Sequence, residues 1–376
     1  MVRRIVTALL VWVSATSAFA GEEVVIHDVA GRDVTVNAPV ERLILGEGRM
    51  TYALAMLDQD NPFKRVVGWR DDLEKADPGS WALYKKRYPE ITKIPTFGGF
   101  KEGTFDIEQA VTLDPDVVVM NIEAQQATED SGLDKKLAAV GIPVVYVDFR
   151  AHPMVNTEPS MNILGELTGE QKNAQAFLDF RQKHLDTVTQ RIEDASPKRP
   201  DVFIERAAGY TEECCMSFGN ANFGEMVELA GGHNIAGDII PGTFGTLNPE
   251  QIIASNPSQY IATGGEWSGY MPGGQWIPMG PNSDQTEALS RLESLLKRPA
   301  LAQADAVTEG HTHAIWHQFY NSPYQFAAIE QIAKWIHPEL FKDIDPSATM
   351  RELHERFLPI DYAPGYFLST TDNETQ

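Results

Sequence analysis

Four arginines stand just after short apolar runs. Arg49 follows Leu43-Ile44-Leu45 and Arg70 follows Val66-Val67-Gly68, while Arg150 follows Val144-Val145-Tyr146-Val147 and Arg206 follows Val202-Phe203-Ile204. A guanidinium makes charge-assisted, often bidentate bonds to carboxylate-like oxygens. Any one of these arginines reads equally well as half of a surface ion pair, but four at equivalent positions point to a shared anion. Trp69, Tyr210, Trp267, Trp316 and Tyr320 lie in the same or similarly placed loops. Their rings can pack on an organic frame or on the guanidinium groups. His311, His313 and His317 form a His-x-His pattern with a third histidine four residues on, which could hold a metal directly. Ordinary hairpin histidines are the plainer reading, with His317 the best-placed single ligand.

Catalytic motifs are incomplete throughout. His354-Glu355 is followed by Leu358 where a zinc-protease helix needs histidine. Gly265-Glu266-Trp267-Ser268-Gly269 carries its serine one place late for a nucleophile elbow. Gly46-x-Gly48 lacks the third glycine of a dinucleotide loop. No catalytic residue is assigned, and an exported α/β enzyme stays a remote alternative.

The apolar runs that precede the arginines read as buried parallel strands, and in open α/β sheets ligands bind beyond the carboxyl ends of the strands. The chain also repeats itself. Residues 104–121 read TFDIEQAVTLDPDVVVMN and residues 246–263 read TLNPEQIIASNPSQYIAT, with Thr104/Thr246, Glu108/Glu250, Gln109/Gln251 and Pro115/Pro257 all 142 positions apart. Each copy is a capping residue, a short helix, a proline break and a strand. Two copies predict two lobes of similar α/β build. Between them, Ala174, Phe177, Leu178, Leu185, Val188 and Ile192 recur at helical spacing until Ser196-Pro197. A helix over residues 170–194 would be about 37 Å long, a stiff strut between lobes. The expected fold is two Rossmann-like lobes with parallel sheets joined by one long α-helix. The boundaries are 1–20 signal peptide, 21–156 N-terminal lobe, 157–197 connecting segment, 198–360 C-terminal lobe and 361–376 tail.

Length and charge agree with this division. At about 150 residues per domain, 376 residues suggest two or three domains. A formal charge of −22 argues against nucleic acid and acidic membrane surfaces as partners. Arg3-Arg4, the apolar stretch Ile5–Val13 and Ala18-Phe19-Ala20 form the pattern of a signal peptide cut after Ala20. No cysteine lies near the cut, so a lipid anchor is not expected and the mature chain should be periplasmic. Cys214 and Cys215 are the two cysteines of the chain and are adjacent. In an oxidising compartment they read as a vicinal disulfide or as partly buried thiols. The segment 264–285, rich in glycine and proline, either covers the cleft or decorates its rim.

Several stretches resemble the periplasmic binding proteins of ABC importers for ferric siderophores, haem and cobalamin. Asp28-Val29-Ala30-Gly31-Arg32-Asp33 through Pro39-Val40-Glu41-Arg42-Leu43-Ile44 is similar to that family's opening hairpin and first strand. Ala230-Gly231-Gly232-His233-Asn234-Ile235 resembles its second-lobe turn. Tyr320-Asn321-Ser322-Pro323-Tyr324 through Trp335-Ile336-His337-Pro338 resembles its closing segment. The resemblance implies a ligand cleft between the two lobes of a monomeric solute-binding protein, with no resident cofactor, that delivers its ligand to an inner-membrane permease dimer. With the arginines, it points to an anionic ferric siderophore, with haem or cobalamin as the alternative. The expected ligand-binding set is Arg49, Trp69, Arg70, Arg150, Arg206, Tyr210, Trp267, Trp316, His317 and Tyr320, with no metal ligand assigned. The resemblance also implies that Glu108 and Glu250, one per lobe, pair with arginines on the two permease subunits.

Overall fold

A computed structural model describes residues 21–371 except 101 and 213. The expected signal segment, residues 1–20, lies outside the described residues. Strands β1 (Glu22–His27) and β2 (Asp33–Ala38) form an antiparallel hairpin. The first lobe then builds a sheet from β3 (Leu43–Leu45), β4 (Val66–Arg70), β5 (Thr96–Phe97), β6 (Val117–Asn121) and β7 (Val144–Val147). Their order is β5-β4-β3-β6-β7, and every pairing is parallel. β6 is buried along its whole length, as a strand covered on both faces must be.

The second lobe comprises β8 (Asp201–Glu205), β9 (Met216–Phe218), β10 (His233–Asn234), β11 (Phe244–Thr246), β12 (Gln259–Gly264), β13 (Thr312–Trp316) and β14 (Phe367–Ser369). Its order is β11-β9-β8-β12-β13-β14, with β10 on β8. Here the parallel core of the sheet gains antiparallel edges. β8, β12, β13 and β10 pair in parallel, but β9, β11 and β14 add antiparallel edges. The expected tail is likewise structural, because Phe367–Ser369 closes the sheet against β13. It was hidden from sequence reading because three residues among aromatics carry no period.

The long helix spans Gln171–Ala195 and ends at Ser196, whose backbone turns left-handed before Pro197. Its buried stripe is Ala174, Phe177, Leu178, Phe180, Arg181, Leu185 and Val188. That stripe packs on the preceding helix, Pro153–Thr168, and on helices Thr51–Leu57 and Gln325–Ile336 from the two lobes. The expected boundary at 157 thus falls inside the helix Pro153–Thr168, which starts four residues earlier.

The irregular segment 265–284 runs from the second lobe onto the first. Gln275 donates to the Gly209 carbonyl at 3.2 Å, and Gly280 and Asn282 donate to Gly365 and Pro364 at 2.8 Å each. Its other side packs on the first lobe, where a Cβ on Gly79 would lie 2.5 Å from the Pro281 carbonyl oxygen. Glycine at 79 permits that approach.

Candidate functional site

The carboxyl ends of β3, β4, β8, β12 and β13 face a cavity of about 330 Å³ between the lobes. Arg49 and Arg70 come from the first lobe, and Arg206, Tyr210, His317, Gln318 and Tyr320 from the second. The segment 265–284 adds Trp267 and Tyr270. It therefore contributes to the cavity wall.

The floor of the cavity is a neutralised ion network. Arg49 lies in the turn Gly48–Met50 just after β3, and its Nε donates to Asp72 at 2.6 Å. Its Nη1 donates to the Tyr320 hydroxyl at 2.6 Å and to Gln318 at 3.1 Å, so the contact crosses the lobes. Behind it, Arg150 donates to Glu47 at 2.5 Å and to Glu123 at 2.8 Å. Burial opposes ionisation of Glu47, but Arg150 and Arg49 outweigh it and hold its pKa below the usual carboxylate value. The same two arginines overcome burial at Tyr320 and lower its pKa.

Arg206 differs from the other three. It pairs with no carboxylate among the described residues. Its guanidinium lies 4.4 Å from the Phe244 ring centroid, Nη1 sits 3.7 Å from the Met216 sulfur, and Nε has no hydrogen-bond partner. Burial pulls its pKa below the ordinary arginine value. Arg70 is intermediate, paired to exposed Glu102 at 2.9 Å, a surface contact that contributes little and can be exchanged.

One wall is aromatic. Trp267 meets Tyr210 edge-on at 5.5 Å and His317 at 5.4 Å. The His317 ring lies 4.3 Å from Tyr320, and its Nδ1 sits 2.9 Å from the Thr263 hydroxyl. Burial, then the charges of Arg206, Arg49 and Arg150, push its pKa far down, so the ring is neutral.

The structure separates the expected residues into groups. Arg49, Arg70, Arg206, Tyr210, Trp267, His317 and Tyr320 line one cavity. Arg150 supports it from behind rather than lining it. Trp69 and Trp316 do not belong to the cavity wall. Trp69, 2% exposed, packs on Phe63 and Trp81, and Trp316, 1% exposed, sits among Tyr52, Phe319 and Tyr366. Both lie within strands, where large apolar rings serve the core.

The His-x-His reading fails on geometry. His313 stacks on Trp335 at 4.4 Å with Nδ1 3.0 Å from the Ser369 hydroxyl, on β13 and apart from the cavity that His317 lines. No group of three or more His, Cys, Asp or Glu among the described residues is placed to hold a metal ion.

Sequence reading missed Tyr270, Gln318 and Asn222. Asn222 is fully buried at φ 58° and donates to the carbonyls of Arg150 at 2.6 Å and Tyr320 at 2.8 Å, pinning the lobes together. A left-handed asparagine before a helix is a weak signal in sequence, since many cap turns without touching a site.

Cys214 and Cys215 are bonded to each other just before β9, the strand that carries Met216 to Arg206. Glu108 and Glu250 are exposed, on helices Ile107–Thr112 and Pro249–Ser255. Asp106 and Asn248 cap the two helices through their side chains. No helix among the described residues is long and apolar enough to cross a membrane.

Comparison with known proteins accords with this architecture. The crystal structure of a TroA-like periplasmic binding protein, FepB from Veillonella parvula, is similar over 92% of this chain and 99% of its own, with 27% identity and a TM-score of 0.81. The molybdate-bound MolA of Haemophilus influenzae shares the fold at 18% identity and a TM-score of 0.69, over 90% of this chain and 99% of its own. A cobalamin-binding protein of Halobacterium salinarum is 27% identical over 178 residues, which span 47% of this chain and 45% of that relative. The aligned part is thus under half of the relative's length. The family profile described as periplasmic binding protein matches residues 74–315, well over half of the sequence. By that match, the chain belongs to the periplasmic binding protein family.

Proposed function

We propose that the chain captures a negatively charged ferric chelate of the siderophore class in the periplasm and passes it to an ABC importer. The observation that carries this reading is Arg206, a largely buried cation on the cavity wall without a carboxylate partner. Burying an uncompensated charge is costly, and an anionic ligand supplies the missing compensation. Arg70, released from Glu102, provides a second contact from the opposite lobe. Trp267, Tyr210 and Tyr270 offer apolar area to an organic frame, as solute sites commonly do. Neutral His317 beside Tyr320, whose pKa is lowered, places two donor groups where an open iron position could be filled.

Delivery follows from the duplicated helices. Glu108 and Glu250 present matching carboxylates, one per lobe, to the two subunits of a permease, and rim charges of this kind govern recognition without entering the cleft. The chain acts as an exported monomer after cleavage at Ala20.

A corrinoid ligand is the second reading, favoured by the cobalamin-binding relative. The test is the visible spectrum of the native protein purified from iron-starved cells. An iron-to-ligand charge-transfer band supports the first reading, a corrinoid spectrum the second, and a colourless protein rejects both.

A further inference from the structure

The two copies of the repeated unit match in environment as well as in sequence. Phe105 and Leu247 are buried, Asp106 and Asn248 cap the helices, and Ala110 and Ile252 are fully buried. Asp114 and Asn256 both turn the chain at φ 44°, and β6 and β12 start at equivalent positions. The outward positions correspond too. Val111 is 45% exposed and Ile253 is 58% exposed, each three residues beyond an exposed glutamate.

Residues three apart share a helix face, so each lobe shows a carboxylate with a β-branched apolar side chain beside it. The fold does not call for this, because the inward side of each helix is already filled by Ala110 or Ile252. Single exposed apolar residues are ordinary. The same kind at the same position in both copies, each flanking the same glutamate, is a paired pattern.

We infer that Val111 and Ile253 are apolar anchors of the docking surface. The partner is then a protein with two similar faces, each offering a cation beside an apolar recess. An exposed ion pair alone contributes little, whereas an apolar neighbour that excludes water strengthens it. This inference rests on the proposed transporter docking of Glu108 and Glu250.

The test is saturation binding of the fluorescently labelled mature chain to right-side-out membrane vesicles from the iron-starved source cells, at several salt concentrations. The variants are V111S/I253S, E108Q/E250Q and the control V25S, which alters an exposed valine on the hairpin outside the repeat. V111S/I253S is expected to weaken binding at least about tenfold through lost apolar burial, with the salt dependence kept. E108Q/E250Q should weaken binding and flatten the salt dependence, and V25S should leave it unchanged. Wild-type binding by V111S/I253S alongside loss in E108Q/E250Q overturns the anchors but leaves carboxylate docking standing. Wild-type binding by E108Q/E250Q, or no saturable binding by the wild-type chain, overturns the docking reading and the inference with it. A concentration-dependent dimer abolished by V111S/I253S would show that the face pairs two copies of this chain, which also overturns it.

Discussion

Arg150 donates to Glu47 at 2.5 Å across the inner end of the first-lobe sheet. The pair is buried, and Asn321 of the second lobe donates to the same Glu47 oxygen at 3.1 Å. The contact therefore ties sheet to sheet, an arrangement suited to holding the two lobes in place. Arg150→Met should destabilise the fold by about 3–5 kcal/mol, because it leaves a buried carboxylate short of its main partner. Adding Glu47→Gln should restore part of that loss. Urea unfolding followed by circular dichroism measures both, and an Arg150→Met variant as stable as wild type would contradict the assignment.

Stability should fall with acid well before the carboxylates titrate. Burial lowers the pKa of His313 to about 3 and that of His354 to about 4, and it also holds that of His317 well below its ordinary value. The unfolded chain protonates each ring near pH 6.5. The stability conferred by their neutral burial is thus fully present above pH ~6.5 and is lost as pH falls toward about 4. Each ring contributes a slope of about 1.4 kcal/mol per pH unit in that window. Melting temperatures between pH 7.5 and 4 should show the decline, and His313→Gln should make it shallower.

Cys214 and Cys215 should be joined in the exported protein. Intact mass after alkylation without reductant should show no added label, and two labels after reduction. Two labels without reductant would exclude the bond.

Changing both Glu108 and Glu250 to Ala should abolish cellular uptake while ligand affinity in solution stays unchanged. Normal uptake would refute the docking assignment. Lost ligand binding would place these residues in the service of the cleft or the fold.

Much of the architecture was legible because it rests on repeated local rules. Val117–Asn121 is a continuous apolar run, and the stripe from Ala174 to Val188 keeps helical period over a long stretch. The repeat even predicted matching backbone, since Asp114 and Asn256 share one left-handed turn. The site was legible in part, because strand ends are readable but side-chain direction is not. Trp69 and Trp316 are the last or near-last residues of strands, and the pleat turned both into the core. Arg150 was identifiable as an arginine at a strand end, but its two carboxylate partners come from other loops. Tyr270 stayed hidden in an irregular segment whose path depends on packing against the first lobe.

The central claim is that Arg206 selects a negatively charged ligand. Its most direct test is titration of wild-type and Arg206→Gln protein with an anionic and a neutral ferric chelate of similar size, followed by fluorescence of the cavity residue Trp267. Wild type should bind the anionic chelate more tightly, and Arg206→Gln should lose roughly 10- to 150-fold of that affinity, the equivalent of one charge-assisted bond. Binding of the neutral chelate should change little. Equal affinity of wild type for both chelates, or unchanged anion binding in Arg206→Gln, would contradict the account.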